Sequence, residues 1–127
     1  MGISYSYYKE EGYILVKVTD RITLPEVLSF FESVLTDNNI KDPFYELVDF
    51  TEVESFDFGY SESNQMLDRK ISLVKHKNHL GTCFIASKNI AKGMSNIFKV
   101  VGEDKGMNIQ VFRTFDEAIQ YIKSNNA

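Results

Sequence analysis

The residues with the most chemical potential lie between Asp49 and Ser63. Asp49 and Asp57 flank the end of an apolar run, and two carboxylates brought together can divide acid and base roles between them. The plainer reading makes them strand-end turn and helix-cap groups. Phe56, Phe58 and Tyr60 alternate with Ser55, Asp57 and Gly59, so three rings occupy a segment where turns normally carry polar residues. Either the rings fold inward and close the core, or they line a pocket or a partner surface. His76 and His79 are the only imidazoles. Their spacing would need a third ligand to hold a metal, and Lys75 and Lys77 repel a cation, so the pair reads as surface histidines. Cys83, inside the apolar run Leu80 to Ala86, reads as a core thiol without a partner base. The sequence has no GxxxxGK[ST], GxGxxG, GxSxG or HExxH motif. No enzyme and no cofactor are expected from it.

Charge is unevenly spread along the chain. The net charge of −4 argues against a general nucleic-acid binder, which needs a basic face. That average hides an acidic block, Glu46, Asp49, Glu52, Glu54, Asp57 and Glu62, and a basic one, Arg69, Lys70, Lys75, Lys77, Lys88, Lys92 and Lys99. The basic block is either solvated surface or an anion-attracting edge for an acidic protein partner, an anionic ligand, or a second copy in a homodimer. A single cysteine cannot form an internal disulfide, no run reaches membrane-spanning length, and the start lacks signal-peptide character. A soluble cytoplasmic protein is expected.

The elements that must position these groups follow from periodicity. Ile3 to Tyr7 and Tyr13 to Val18 alternate with period two around Lys9-Glu10-Glu11-Gly12, which predicts a hairpin. Thr23-Leu24-Pro25-Glu26 is a capping box with an early proline, opening a helix whose stripe is Leu24, Val27, Leu28, Phe31, Val34 and Leu35. Phe44 to Phe50 reads as a strand, followed by an irregular acidic stretch from Val53 to Gly59. A helix from about Ser61 to His76 buries Leu67, Ile71 and Val74. Leu80 to Ala86 is continuously apolar, as for a central strand covered on both faces. Ile90 to Val101 forms a helix ending at Gly102 or Gly106, in which Gly93 suggests close approach of the backbone to the sheet or a ligand. Ile109 to Arg113 is a last strand, and the box Thr114 to Glu117 opens a last helix that frays over Lys123 to Ala127. The order ββαβαβαβα over 127 residues predicts a single α/β domain with a mostly parallel five-stranded sheet and an N-terminal hairpin.

Val48-Asp49-Phe50-Thr51-Glu52-Val53, with Phe56-Asp57 after it, resembles the D-L-S-x-V-x-x-x-D signature of the STAS domain, the family of bacterial anti-sigma-factor antagonists such as SpoIIAA. The element order agrees over essentially the whole chain. An uncharacterised SpoIIAA-like subgroup resembles it further through Arg21-Ile22-Thr23, Glu46-Leu47-Val48-Asp49, Val111-Phe112-Arg113 and Glu117-Ala118. In the antagonists the Asp matching Asp57 is followed by a phosphorylatable serine, whereas Phe58 stands here and cannot accept a phosphoryl group. Ser61 and Ser63 are the nearby hydroxyls that a displaced switch would use, or else a cap and a solvated helix position. The resemblance implies a regulatory, non-catalytic module for protein interaction or small-ligand binding. Its site comprises Phe56, Asp57, Phe58, Gly59, Tyr60, Ser61 and Ser63, with Arg69, Lys70, Lys88 and Lys92 as an anion- or partner-facing surface. The rival is a small apolar-ligand carrier or enzyme with Asp49 or Asp57 beside a cavity near this loop.

Overall fold

A computed structural model describes residues 2–126. Strands β1 (Ile3–Tyr8) and β2 (Tyr13–Ile22) form the expected hairpin, and Gly12 at φ +80° supplies the left-handed turn residue. Helix α1 (Leu24–Thr36) is held at its start by the predicted box: the Thr23 amide donates to Glu26 Oε1 at 3.2 Å and the Glu26 amide to Thr23 Oγ1 at 3.5 Å. Then come β3 (Phe44–Phe56), α2 (Tyr60–His76), β4 (His79–Ile85), α3 (Asn89–Asp104), β5 (Ile109–Phe112) and α4 (Phe115–Asn126).

The sheet order is β1-β2-β3-β4-β5, antiparallel only between β1 and β2. The middle strand is thus β3, while the apolar β4 lies between β3 and β5. Two faces of unequal cover explain the hydropathy pattern. Ile14, Val16, Phe44, Val48, Phe50 and Phe84 face α1, α2 and α3. Tyr13, Tyr45, Leu47, Cys83 and Ile85 face Ala118 and Ile122 of α4. Strands buried on both sides lose the alternation that a half-exposed strand keeps.

Several expectations are corrected. Strand β3 continues six residues beyond Phe50, because β2 also continues and pairs Arg21 with Ser55 and Ile22 with Phe56 across two register shifts. Val53 is fully buried while Glu52 and Glu54 face outward, so the acidic stretch is a strand with alternating exposure. Gly93 is exposed, and a Cβ there would meet nothing within 4 Å, so close approach does not account for it. It is Gly102 that packs closely, since a Cβ would lie 2.2 Å from Ile109 Cδ1. Helix α4 runs through Lys123 to Asn126 without fraying, and Ala127 lies outside the described residues.

Candidate functional site

The strand-end loop divides its rings. Phe56 and Phe58 turn inward: Phe56 meets Phe50 edge-on at 5.2 Å between centroids, and Phe58 stacks on Phe98 at 6.3 Å. Phe50 in turn stacks on Phe84 at 5.1 Å, joining β3, β4 and α3 through one aromatic cluster. Tyr60, in the first turn of α2, is 62% exposed. Gly59 precedes that turn, and its amide donates to Glu62 Oε1 at 3.1 Å.

The two serines differ as sharply. Ser61 is exposed, its hydroxyl 3.4 Å from Glu62 Oε1. Ser63 is fully buried and donates to the Gly59 carbonyl at 2.9 Å, with its oxygen 3.8 Å from Met94 Sδ. A hydroxyl enclosed in this way is closed to a kinase in the folded protein, which removes Ser63 as a displaced phosphorylation site.

Asp49 and Asp57 do not meet. They are eight residues apart along an extended chain, on the order of 25 Å at about 3.3 Å per residue. Asp49 Oδ1 accepts from the Thr51 amide at 2.8 Å and the Thr51 hydroxyl at 2.6 Å, and Asp57 pairs with Arg21 at 3.3 Å. The plainer reading, a strand-end turn and a helix cap, is corrected too: Asp49 lies within β3, which runs on to Phe56, and the N-cap of α2 is Gly59, so Asp57 is a surface ion-pair group.

The basic surface is also reorganised. Lys70 is buried, and Arg69 pairs with Glu32 across to α1. Lys77 donates to the carbonyls of Asp37 and Ile40 at 2.8 and 2.9 Å, and Lys99 to Glu103 at 3.0 Å. Lys88 and Lys92 stand at the start of α3, Lys88 exposed and Lys92 half-buried, and among the described residues neither has an acid within 4 Å. Lys70 and Arg69 are therefore engaged within the fold, whereas Lys88 and Lys92 have no acidic neighbour among the described residues.

Beneath the loop, between the sheet and the helix layer, lies a cavity of about 60 Å³. Its walls are apolar, including Val18, Val48, Phe50, Phe56, Phe58 and Leu67, and two charged residues complete them, Glu46 and Lys70. Glu46 sits on β3 between Phe44 and Val48 on the same sheet face, opposite Thr82 of β4, and is 1% exposed. Three donors converge on its Oε1: Lys70 Nζ from α2, His79 Nε2 at 2.6 Å and Thr82 Oγ1 at 3.4 Å. Lys70 Nζ also lies 4.8 Å from the centroid of the Phe31 ring. Glu46 Oε2 is buried, and no donor reaches it among the described residues.

Burial alone would push the Glu46 carboxyl up. The Lys70 charge and the His79 hydrogen bond outweigh that and hold it down at about 2, so it is ionised at neutral pH. Burial lowers the His79 pKa despite the carboxylate beside it, which keeps the imidazole neutral. An ionised carboxylate only accepts, so His79 Nε2 bears the proton. Burial likewise pushes the Cys83 thiol up to about 12, in keeping with an inert core cysteine on the opposite face of the sheet.

The sequence alone places three members of this network elsewhere: Glu46 in an acidic block, Lys70 on an anion-facing surface, His79 in a surface pair with His76. His76 is indeed exposed, but His79 is inside. The signals for the others were in the spacing. Glu46 falls on the apolar period of its strand between Phe44 and Val48, and Lys70 falls on the Leu67–Leu73 stripe of its helix.

No protein-family model matches this sequence, and no curated protein matches it. Among solved structures, it is similar to that of an uncharacterized protein from the DUF3478 family, with a SpoIIAA-like fold, from Shewanella loihica PV-4. The two superpose with a TM-score of 0.57 at 17% identity, over 94% of this chain and 91% of that one. At such identity the likeness is one of fold. Element order, strand order and the leading antiparallel hairpin agree with it, and this chain has the SpoIIAA-like α/β fold.

Proposed function

We propose that this protein is a non-catalytic binding module whose small ligand occupies the cavity under the Phe56–Gly59 segment. The observation that carries this reading is a buried ion pair set into the wall of an otherwise apolar cavity. Taking an ion pair out of water costs several kcal/mol per charge, and replacing such a pair with apolar side chains is often neutral or stabilising. An unpartnered carboxylate oxygen adds a further cost of about 1–3 kcal/mol. Stability alone thus gives little reason for Glu46 and Lys70 to be there, whereas recognition does. Neither Asp49 nor Asp57 lines the cavity, which counts against the enzyme built on those two carboxylates.

The test is a thermal-shift screen of the whole protein against small polar and apolar compounds, repeated with Val48→Phe, which fills the space. A ligand of the folded state raises the midpoint in proportion to its occupancy. Saturable shifts in the natural protein that vanish in a folded Val48→Phe variant support the reading. Shifts that are absent, or unaffected by filling the cavity, reject it.

A second reading makes the same end of the sheet a docking surface for a protein partner. Tyr60 at 62% exposure and Ile90 at 48% are apolar residues in the first turns of α2 and α3, with Lys88 and Lys92 beside Ile90 on α3. Affinity purification with natural protein and Tyr60→Ala tests it, and recovery of identical proteins counts against it.

A further inference from the structure

We propose that the cavity selects a ligand carrying a neutral hydroxyl group on a compact apolar body, the hydroxyl donating to Glu46 Oε2 and accepting from Lys70 Nζ. This rests on the ligand-binding reading above and states what the polar wall recognises.

The two charged groups leave complementary needs. All the donors that reach Glu46 go to Oε1, so Oε2 is an acceptor with no donor. An ammonium carries three N–H groups, and Lys70 directs one to Glu46 Oε1 while the Phe31 ring lies close by. A head group facing both must give one hydrogen bond and take another. A carboxylate can only accept, and would set a second anion against Oε2. An ammonium can only donate, and would set a second cation against Lys70. A hydroxyl does both with one atom, which suits a cavity of about 60 Å³. Space of this kind needs at least about 10–15 Å³ per water, so it exceeds the demand of a single solvent molecule.

Charge balance leads to the same class. The Glu46 carboxylate already has Lys70 as its counter-ion, and the neutral imidazole of His79 adds no charge to the pair. A neutral ligand keeps that balance, whereas an ionised one introduces an uncompensated charge into a wall of Val48, Phe50, Phe56 and Phe58. The anionic ligand considered from the sequence is therefore disfavoured in this cavity, though not at Lys88 and Lys92.

The experiment uses the whole protein and five probes: 1-propanol, ethyl methyl ether, propionate, propylammonium and xenon, each titrated by two-dimensional NMR on methyl and amide signals. The expected result is saturable perturbation of Val48 and Leu67 by 1-propanol, with affinity at least tenfold above that for the ether, propionate or propylammonium. Because Glu46→Leu alone strands a buried cation and so threatens the fold itself, the paired variant Glu46→Leu with Lys70→Met removes both charges together. In that variant the preference for 1-propanol over the ether should fall to less than twofold. Equal binding of alcohol and ether by the natural protein, tighter binding of propionate, or a preference that survives in the paired variant would each overturn the hydroxyl assignment. Xenon separates the two levels. Xenon bound without an alcohol preference leaves the cavity as a binding site and removes only the hydroxyl, whereas no binding of xenon or any other probe removes both.

Discussion

Substituting Lys70 by Met leaves Glu46 as an uncompensated charge under the helix layer, and the structure sets the size of the effect. Lys70 and His79 together hold the Glu46 carboxyl down at about 2 against an ordinary 4.5, so at neutral pH it is a buried anion whose counter-ion is Lys70. Breaking a buried pair from one side costs about 3–5 kcal/mol. For a domain of this size that is a fall in melting temperature of roughly 10 °C. The sign with pH follows from the depressed pKa. In the natural protein the contribution of Glu46 is complete above about 4.5 and is lost as the pH falls toward about 2. In Lys70→Met burial is left dominant and raises the carboxyl, so protonation relieves the variant at a pH where the natural protein is unaffected. Urea unfolding followed by circular dichroism, at pH 7 and again near pH 5, reads both quantities. The gap between the two proteins should be about 3–5 kcal/mol at pH 7 and narrower near pH 5. The paired variant Glu46→Leu with Lys70→Met should recover all but about 1–2 kcal/mol of the loss, the remainder being the stranded His79 donor. A loss below about 1 kcal/mol at pH 7, or equal losses in the single and paired variants, would falsify the account of a coupled buried pair.

Other consequences are open to measurement. Ser63→Asp places a charge in a fully buried site and should destabilise the protein by several kcal/mol, whereas Ser61→Asp, exposed in the first turn of α2, should be neutral or stabilising by about 0.3–1 kcal/mol in urea unfolding. Gly93→Ala should stabilise by about 0.5–1 kcal/mol, since the position is helical, exposed and free of neighbours within 4 Å; a destabilisation would mean that Gly93 has a role the packing does not show. Thr23→Ala should cost about 1 kcal/mol by removing the α1 cap. Cys83, with its thiol raised to about 12, should react with a disulfide reagent at pH 8 only at the rate of opening and become fast in denaturant.

The elements were legible wherever one physical signal dominated. Both capping boxes start helices as read, and the Glu117 carboxylate accepts from the Thr114 amide at 3.2 Å. The apolar run to Ala86 became a strand covered on both faces. Strand β3 was cut short because Glu52 and Glu54 make the segment look irregular, and only pairing with an extended β2 shows their outward phase. The site was harder to see. A charged residue in a sequence is first read as solvated, and what overrides that reading for Glu46, Lys70 and His79 is the meeting of residues 24 and 33 positions apart. Periodicity can mark one of them as facing inward but cannot bring it to its counterpart. The rings of Phe56 and Phe58 go inward for the same kind of reason, since Phe98 from a later element receives both.

The strand order also bears on synthesis. Each strand pairs with the one made just before it, so the sheet can extend vectorially as the chain emerges, without waiting for a later strand to be inserted between earlier ones. Three of the four pairings are parallel, however, and each has to wait for a helical crossover to be made, which slows closure. The second face runs on a different clock. Tyr45, Leu47, Cys83 and Ile85 depend on α4 for cover, and α4 is translated after all of them. Until Ala118 and Ile122 leave the ribosome, the nascent sheet carries one covered side and one bare side, and exposed apolar surface of that kind is what promotes aggregation in a growing chain.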